Sequence, residues 1–315
     1  MNDLNALSLH DLFAELSRDG GLTRLVELAR DEDLGHEGRP GDITSLVSIE
    51  AGRVGRGEVA MRTEGVLSGL RAVPEIVRVF APDVAVEFRA QDGDRVQRGA
   101  VVAVLEGPLR QILSVERTLL NLLGRMSGIA SRVADFVAAV EGTGVRLLDT
   151  RKTTPGLRNL EKYAVRCGGG FCHRIGLYDA VLIKDNHLAG VTVEGLPAFV
   201  RAAAGKARAV GAEFGGVRFV ELEVDTLEQL ESVMRAGVCG RERDVGIVLL
   251  DNMPLGMLRK AAEMREAHKS DVMLEASGGV TLGTIRAIAQ TGVDRISVGG
   301  LTHQAVSLDV ALDVK

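Results

Sequence analysis

The sequence predicts an α/β protein in two parts, a small antiparallel α+β unit followed by a parallel-stranded α/β barrel. Three observations predict it. Between about residues 52 and 107, short runs alternate apolar and polar residues, with turn residues between them. After Gly144, six apolar runs are separated by helical patterns, and the polar residues of those runs gather at their C-terminal ends. Period-two alternation marks antiparallel strands with one wet face. Strands that alternate with helices mark βα units and a parallel sheet. A doubly wound sheet would also satisfy the second pattern, but six successive strand ends bearing polar groups or glycine favour a closed barrel, where those ends share one mouth.

Residues 1–35 read as one or two short helices ending in the acidic run Arg30 to Gly35. The antiparallel runs are Gly57-EVAMRT, Val84-AVEFRA and Ala100-VVAVLEG, with turns at Asp92-Gly-Asp94 and Gly99. From Leu109 to Val140 apolar residues recur at helical spacing, which predicts one long helix or two, with Gly124 and Gly128 as interruptions. The six barrel runs are VRLLDT (145–150), DAVLIKDNH (179–187), VRFVELEV (217–224), VGIVLLDNM (245–253), DVMLEASGG (271–279) and RISVGG (295–300). A full barrel needs eight strands, so either the barrel is reduced or two strands are hidden. The helix beginning near Thr226 has Asp225 as its expected cap with Glu228 three residues on, and Gly237 where it should stop.

Composition excludes several classes of function. A net charge of −5 over 315 residues lacks the basic excess of a general nucleic-acid binder. No window approaches eighteen uninterrupted apolar residues, and the N-terminus carries acids in place of a cationic leader, so no membrane partner is expected. Cys167, Cys172 and Cys239 fit neither a disulfide framework nor a zinc knuckle, which predicts a reducing, cytoplasmic setting. With 3% aromatics and no Trp, a planar substrate would have to be held by charge.

One stretch stands out against this acidic background. Residues 149–188 hold seven Lys and Arg (Arg151, Lys152, Arg158, Lys162, Arg166, Arg174, Lys184) against four acids (Asp149, Glu161, Asp179, Asp185), together with a Gly triplet and two His. A cationic island in an acidic chain predicts a site for carboxylates or phosphates. Arg151 and Lys152 follow an apolar strand directly, and Lys184 interrupts Ala180-VLI, so these cations should lie in the mouth. Glu221 and Glu223 are two apart and share one side of their strand. With Asp251 they suit Mg²⁺ or sugar hydroxyls, although Glu221 could instead face a helix in a salt bridge. Ser277, Gly278, Gly279, Gly299 and Gly300 close the last two strands as candidate phosphate loops, with Thr281 as a cap and His303 beyond. Arg117 lies off the apolar stripe of the long helix, a surface position by periodicity.

Other signals are absent. The run Val248 to Asp251 is similar to the acidic strand end of flavodoxin-like phosphoribosyltransferases, but the second acid and the Thr/Gly loop are missing. There is no GxGxxG after a strand, no Walker phosphate loop, no HExxH and no GxSxG. Cys172 beside His173 is a poor nucleophile pair, since adjacent residues cannot easily place the imidazole on the sulfur.

DTRKTTPGLRNLEKYAVRCGGG, His173-Arg174, DAVLIKDNH, VELEV, LLDNM, SGG and SVGGLTH follow one another, preceded by EDLG, GDITS and ERTLLN. In this order, over nearly the whole chain, they resemble the quinolinate phosphoribosyltransferase family. The resemblance implies an incomplete (β/α) barrel with an N-terminal open-faced α+β sandwich. It divides the chain at 1–116 and 117–315, with the C-terminal tail packing back on the first domain. The implied reaction converts quinolinate and phosphoribosyl pyrophosphate to nicotinate mononucleotide, CO₂ and pyrophosphate in de novo NAD synthesis.

The family further implies a homodimer with shared sites, and possible higher oligomers, in which Arg117 reaches the neighbour's site. Arg151, His173, Arg174 and Lys184 match residues that hold the two carboxylates of quinolinate. Lys152, Glu223, Asp251 and the two Gly loops match those serving phosphoribosyl pyrophosphate and its Mg²⁺, with Glu221 in support; Thr150 and His303 complete the substrate-binding set. Lys152, Glu223 and Asp251 are the expected catalytic groups, and Glu223 and Asp251 the expected metal-facing ones. One departure is visible: Cys172 stands where the family usually has Asn, and it cannot offer the amide's donor and acceptor. Two rivals are a same-fold homologue acting on another acceptor and a non-catalytic regulator that binds the same ligands.

Overall fold

The structure is a computed structural model describing residues 3–36 and 38–315. Two compact units interleave along the chain. One comprises Leu7–Ala134, Thr153–Gly169 and Leu301–Lys315, and the other the residues up to Ala6, Asp135–Lys152 and Gly170–Gly300.

In the unit that begins at Leu7, helices α1 (Leu9–Ser17), α2 (Gly21–Leu34) and α3 (Ile43–Ser48) precede strand β1 (Val54–Met61). Ser8 and Asp42 cap α1 and α3 by accepting the backbone N–H groups of Asp11 and Ser45. A short pair, β2 (Gly65–Val66) and β4 (Arg95–Val96), flanks α4 (Val73–Phe80) and β3 (Ala85–Phe88), and β5 (Val101–Pro108) completes the predicted antiparallel runs. The C-terminal β12 (Val310–Val314) pairs antiparallel with β1, giving the sheet order β12-β1-β5-β3. Val59, Met61, Ile76, Val102, Leu105 and Ile112 are buried in its core, where each such side chain contributes roughly 1.5–3 kcal/mol.

The linking pattern forms one 31-residue helix, α5 (Leu109–Ala139), not two. Gly124 and Gly128 do not interrupt it. A Cβ on Gly128 would lie 2.0 Å from the Val306 carbonyl oxygen and one on Gly124 2.7 Å from that of Leu308, so both glycines let the C-terminal segment run against the helix. Helix α6 (Arg158–Cys167) belongs to this unit and carries Arg158, Lys162 and Arg166.

The other unit is built on six parallel strands: β6 (Arg146–Leu148), β7 (Val181–Ile183), β8 (Val220–Val224), β9 (Ile247–Asp251), β10 (Met273–Ser277) and β11 (Arg295–Ser297). Their order is β6-β11-β10-β9-β8-β7. All six predicted strands form, and the first closes back onto the last, but β6 and β7 do not pair. The barrel is therefore reduced and not closed, in contrast to the closed barrel expected from the strand ends. Between β6 and β7 the chain makes only an isolated bridge, Leu148 to Phe171. Helices α7 (Leu196–Phe214), α8 (Leu227–Arg235), α9 (Leu255–Ala267) and α10 (Ile285–Ala289) fill the later crossovers, and α11 (Gly300–His303) follows β11. The helix after β8 is capped by Thr226, not Asp225: Thr226 and Gln229 exchange hydrogen bonds in a capping box, whereas Asp225 is exposed.

Candidate active site

At the C-terminal end of β6, Asp149 is fully buried and its carboxylate accepts the His173 N–H at 2.8 Å. Asp179 accepts the N–H groups of Ile175 and Gly176, both at 2.9 Å, and pairs with Arg218. The segment carrying His173 and Arg174 is thus pinned from both sides. These two acids are structural anchors, and Asp179 also acts on Arg174 by its charge.

Arg151 and Arg174 come from different segments yet feel each other. Burial lowers the pKa of Arg174, and the Arg151 guanidinium lowers it further. Neither makes an ion pair among the described residues, and the buried Nε of Arg151 has no hydrogen-bond partner among them. Two guanidiniums that act on each other and make no ion pair can take an external anion, although Glu221, Asp179 and Glu223 offset part of the charge on Arg174. Lys184, at the end of β7, pairs with Glu223 at the end of β8, and its backbone N–H donates to His187 Nδ1 at 2.9 Å, which sets the turn.

Glu221 does not face a helix. It points inward, where His173 Nε2 lies 3.0 Å from Glu221 and 3.3 Å from Glu275, and Arg295 Nε lies 2.7 Å from Glu275. Both acids are fully buried. Burial opposes the charge of Glu275, but His173 and Arg295 hold its pKa at about 2, while Glu221 is pushed up by its own burial and by Glu275 beside it. For His173, burial lowers the pKa, yet Glu275 and Glu221 outweigh it and raise the value to about 10. One contact opposes that rise: the Arg174 N–H donates to Nδ1 at 2.8 Å and needs its lone pair. Losing this bond costs roughly 1–3 kcal/mol, or about one to two pKa units. That is less than the rise from 6.5 to about 10, so His173 keeps its charge at neutral pH.

The donor atoms of His173, Glu221 and Glu275 lie within 4.8 Å of one another, close enough to hold a cation. Arg295 already supplies positive charge there. Glu223 and Asp251 are acids at the ends of neighbouring strands: burial raises the Glu223 pKa, Lys184 lowers it, and Asp251 and Asp185 raise it again. Carboxylate oxygens are the donors a hard cation takes.

Among the other expected residues, Thr150 accepts the Lys152 N–H at 3.0 Å, and Lys152 is exposed. Ser277 ends β10, and Gly278 (φ +90°) is required by the backbone: a Cβ there would meet the Asn252 backbone at 3.0 Å. Thr281 does not cap α10; its N–H is bound by the Thr284 hydroxyl in a turn ahead of the helix. Gly299 and Gly300 follow β11. Arg117 and His303 belong to the unit that begins at Leu7, both exposed, on α5 and at the end of α11. Sequence reasoning counts Glu275 among the polar strand-end residues without giving it a role and misses Arg295; the pairing appears only where β10 and β11 lie side by side. Cys172 is buried, with its backbone N–H and carbonyl satisfied by the Asn5 side chain at 2.7 and 2.9 Å, and none of the three cysteines is in a disulfide.

Two family models match the chain: quinolinate phosphoribosyl transferase, N-terminal domain, over residues 42–127, and the C-terminal domain over 129–313. A nicotinate-nucleotide pyrophosphorylase (carboxylating) of Mycobacterium leprae is 42% identical over 277 residues, covering 87% of this chain and 91% of the relative. A probable enzyme of the same name from Bacillus subtilis is 39% identical over 283 residues, with 90% of each covered. The solved nicotinate-nucleotide pyrophosphorylase of Francisella tularensis superposes with a TM-score of 0.82 at 32% identity, over 100% of both chains.

Proposed function

The chain belongs to the quinolinate phosphoribosyltransferase family, and we infer that it is a pentosyltransferase of NAD biosynthesis. It transfers phosphoribosyl from phosphoribosyl pyrophosphate to quinolinate, releasing CO₂ and pyrophosphate and leaving nicotinate mononucleotide. The observation that carries this reading is the pair Arg151 and Arg174, which make no ion pair among the described residues, with Arg174 also feeling Glu223, the partner of Lys184.

In this reading Arg151, Arg174, Lys184 and charged His173 clamp the two carboxylates of quinolinate, and Glu221 supports His173. The pyridine nitrogen is the nucleophile, so no Ser, Cys or activated water is needed. It attacks the ribose C1 as pyrophosphate leaves, with Lys152 and the loops at Ser277–Gly279 and Gly299–Gly300 holding phosphates and Thr150 lining the substrate. Positive charge developing at C1 is stabilised by Glu223 and Asp251, and each preorganised group of this kind is typically worth about 3–4 kcal/mol of barrier. The carboxylate beside the now cationic ring nitrogen then departs as CO₂; its electron pair stays on the ring carbon, which takes up a proton.

Glu223 and Asp251 are also the residues that would face Mg²⁺, which neutralises pyrophosphate charge when bound. The chain works in the cytoplasm as a homodimer at least, and exposed Arg117 serves the partner's site. The decisive experiment follows labelled CO₂ from carboxyl-labelled quinolinate with purified protein. Release that depends on phosphoribosyl pyrophosphate is expected; binding without release would mark a regulator, and transfer to another acceptor a sister enzyme.

A further inference from the structure

One large cavity does not lie at the strand ends that carry the candidate site. It opens at the opposite, N-terminal ends of the parallel strands, where the first residues of β6, β8, β9, β10 and β11 line a volume of about 1190 Å³. Its charge is one-sided. Arg146, Arg208, Arg218, Arg241, Arg243 and Arg295 line it with Asp244 and Asp294, and Arg218 and Arg295 pair with Asp179 and Glu275 outside the lining. Asp294 is already engaged by Arg265, which is not part of the lining, and Asp244 by Arg208 and Arg201. Arg241 makes no side-chain ion pair among the described residues, and Arg146 is placed over the Phe171 ring at 5.4 Å. A second cavity of about 330 Å³ shares Arg146, Arg218, Phe219 and Arg295 with it.

Three of the six guanidiniums, those of Arg146, Arg241 and Arg243, make no ion pair among the described residues, an excess of positive charge that stands out in a chain of net charge −5. Planar guanidinium forks match phosphate oxygens two at a time. The volume exceeds the roughly 300–1,000 Å³ of ordinary small-molecule pockets, which leaves room for a nucleotide. We propose that this cavity is a second anion site, distinct from the candidate active site, that takes a phosphate-rich small molecule of the nucleoside triphosphate class. Arg295 links it to the chemistry: one side of this residue lines the cavity, while its Nε pairs with Glu275, which in turn touches His173. The Phe219 ring also lies between, 5.8 Å from the Arg295 guanidinium and edge-on to the His173 ring at 5.4 Å. An anion that draws Arg295 toward the cavity weakens its hold on Glu275 and changes the partner of His173.

The full-length protein is titrated by calorimetry with ATP and, separately, with inorganic tripolyphosphate. Saturable binding is expected in wild type and in Lys152→Ala, and it should fall about tenfold for each guanidinium lost in Arg146→Ala/Arg241→Ala. Tighter binding of ATP than of tripolyphosphate identifies a nucleoside ligand; equal binding assigns a bare phosphate chain and overturns the nucleotide class. Absence of binding, or binding untouched by the double variant or lost in Lys152→Ala, overturns the site itself. The double variant should turn over quinolinate as wild type does. ATP should shift the quinolinate KM of wild type about fivefold or more, and not that of the double variant. An unshifted KM and kcat with ATP bound would overturn the Arg295 link. These readouts are separable from the proposed function, since binding at the cavity needs no turnover. If the double variant instead changes the oligomeric state in sedimentation, the cavity is a contact between copies and the proposal fails.

Discussion

Replacing Glu275 by Gln tests the buried cluster behind the candidate site. The substitution is nearly isosteric, so it makes no cavity and removes only charge. In the native protein one Glu275 oxygen lies 2.7 Å from Arg295 Nε and the other 3.3 Å from His173 Nε2, in a place with no solvent access. Removing one partner of a buried pair costs about 3–5 kcal/mol because the other charge stays behind unpaired. Part of this is recovered. Glu221 remains 3.0 Å from His173 and, freed of its like-charged neighbour, ionises more readily. The loss should therefore sit near the lower bound, on the order of 3 kcal/mol, which lowers an unfolding midpoint by roughly 6–12 °C. Scanning calorimetry measures it. The sign with pH follows from the low pKa of Glu275, about 2 against 4.5: its stabilisation is full above 4.5 and lost as pH falls through about 2, so the gap between variant and wild type should close in acid. Adding Arg295→Met should restore much of the stability. A single-variant loss below about 1 kcal/mol, or a double variant as unstable as the sum of the singles, would refute the charge-pair argument.

Arg174→Ala should lower kcat/KM for quinolinate on the order of 100-fold while circular dichroism stays native; near-normal kinetics would remove the carboxylate clamp. Mixing Arg117→Ala protein with Lys184→Ala protein should restore activity through hybrid dimers, and no recovery after confirmed subunit exchange would count against a shared site. Gly128→Ala should destabilise by about 1–3 kcal/mol despite better helix propensity, because its methyl meets the Val306 carbonyl; a more stable variant in thermal melts would contradict that packing. His173 has a raised pKa, so its stabilisation is full below about 6.5 and lost as pH rises toward about 10. A slope of stability across that window in wild type, absent in His173→Gln, is the expected denaturation result.

The strand and helix pattern was legible in the sequence because it is local. Six parallel strands formed where apolar runs ended in polar residues, since only a strand covered on both faces tolerates uninterrupted Val, Leu and Ile. Arg151, Lys184, Glu223 and Asp251 could be placed at strand ends for a related reason: each falls at or just after the end of such a run. The long-range closures were not legible. Whether β6 pairs with β7 depends on what the intervening chain does, and here that chain builds α6 into the other unit and returns as a single bridge at Phe171. Gly124 and Gly128 read as breaks because the sequence does not show the C-terminal segment that lies against them. Asp149 and Asp179 counted as charge in the sequence and serve as backbone acceptors in the fold.

The sequence by itself thus determined the two kinds of sheet, the cationic island and the acids that oppose it, because periodicity and strand-end chemistry need only near neighbours. Tertiary structure alone decided that the barrel stays open, that Glu275 and Arg295 stand behind His173, and that six arginines from five segments of the chain line one cavity at the N-terminal strand ends. Burial and Coulomb interaction depend on distance in space, and the chain encodes that only once it has folded.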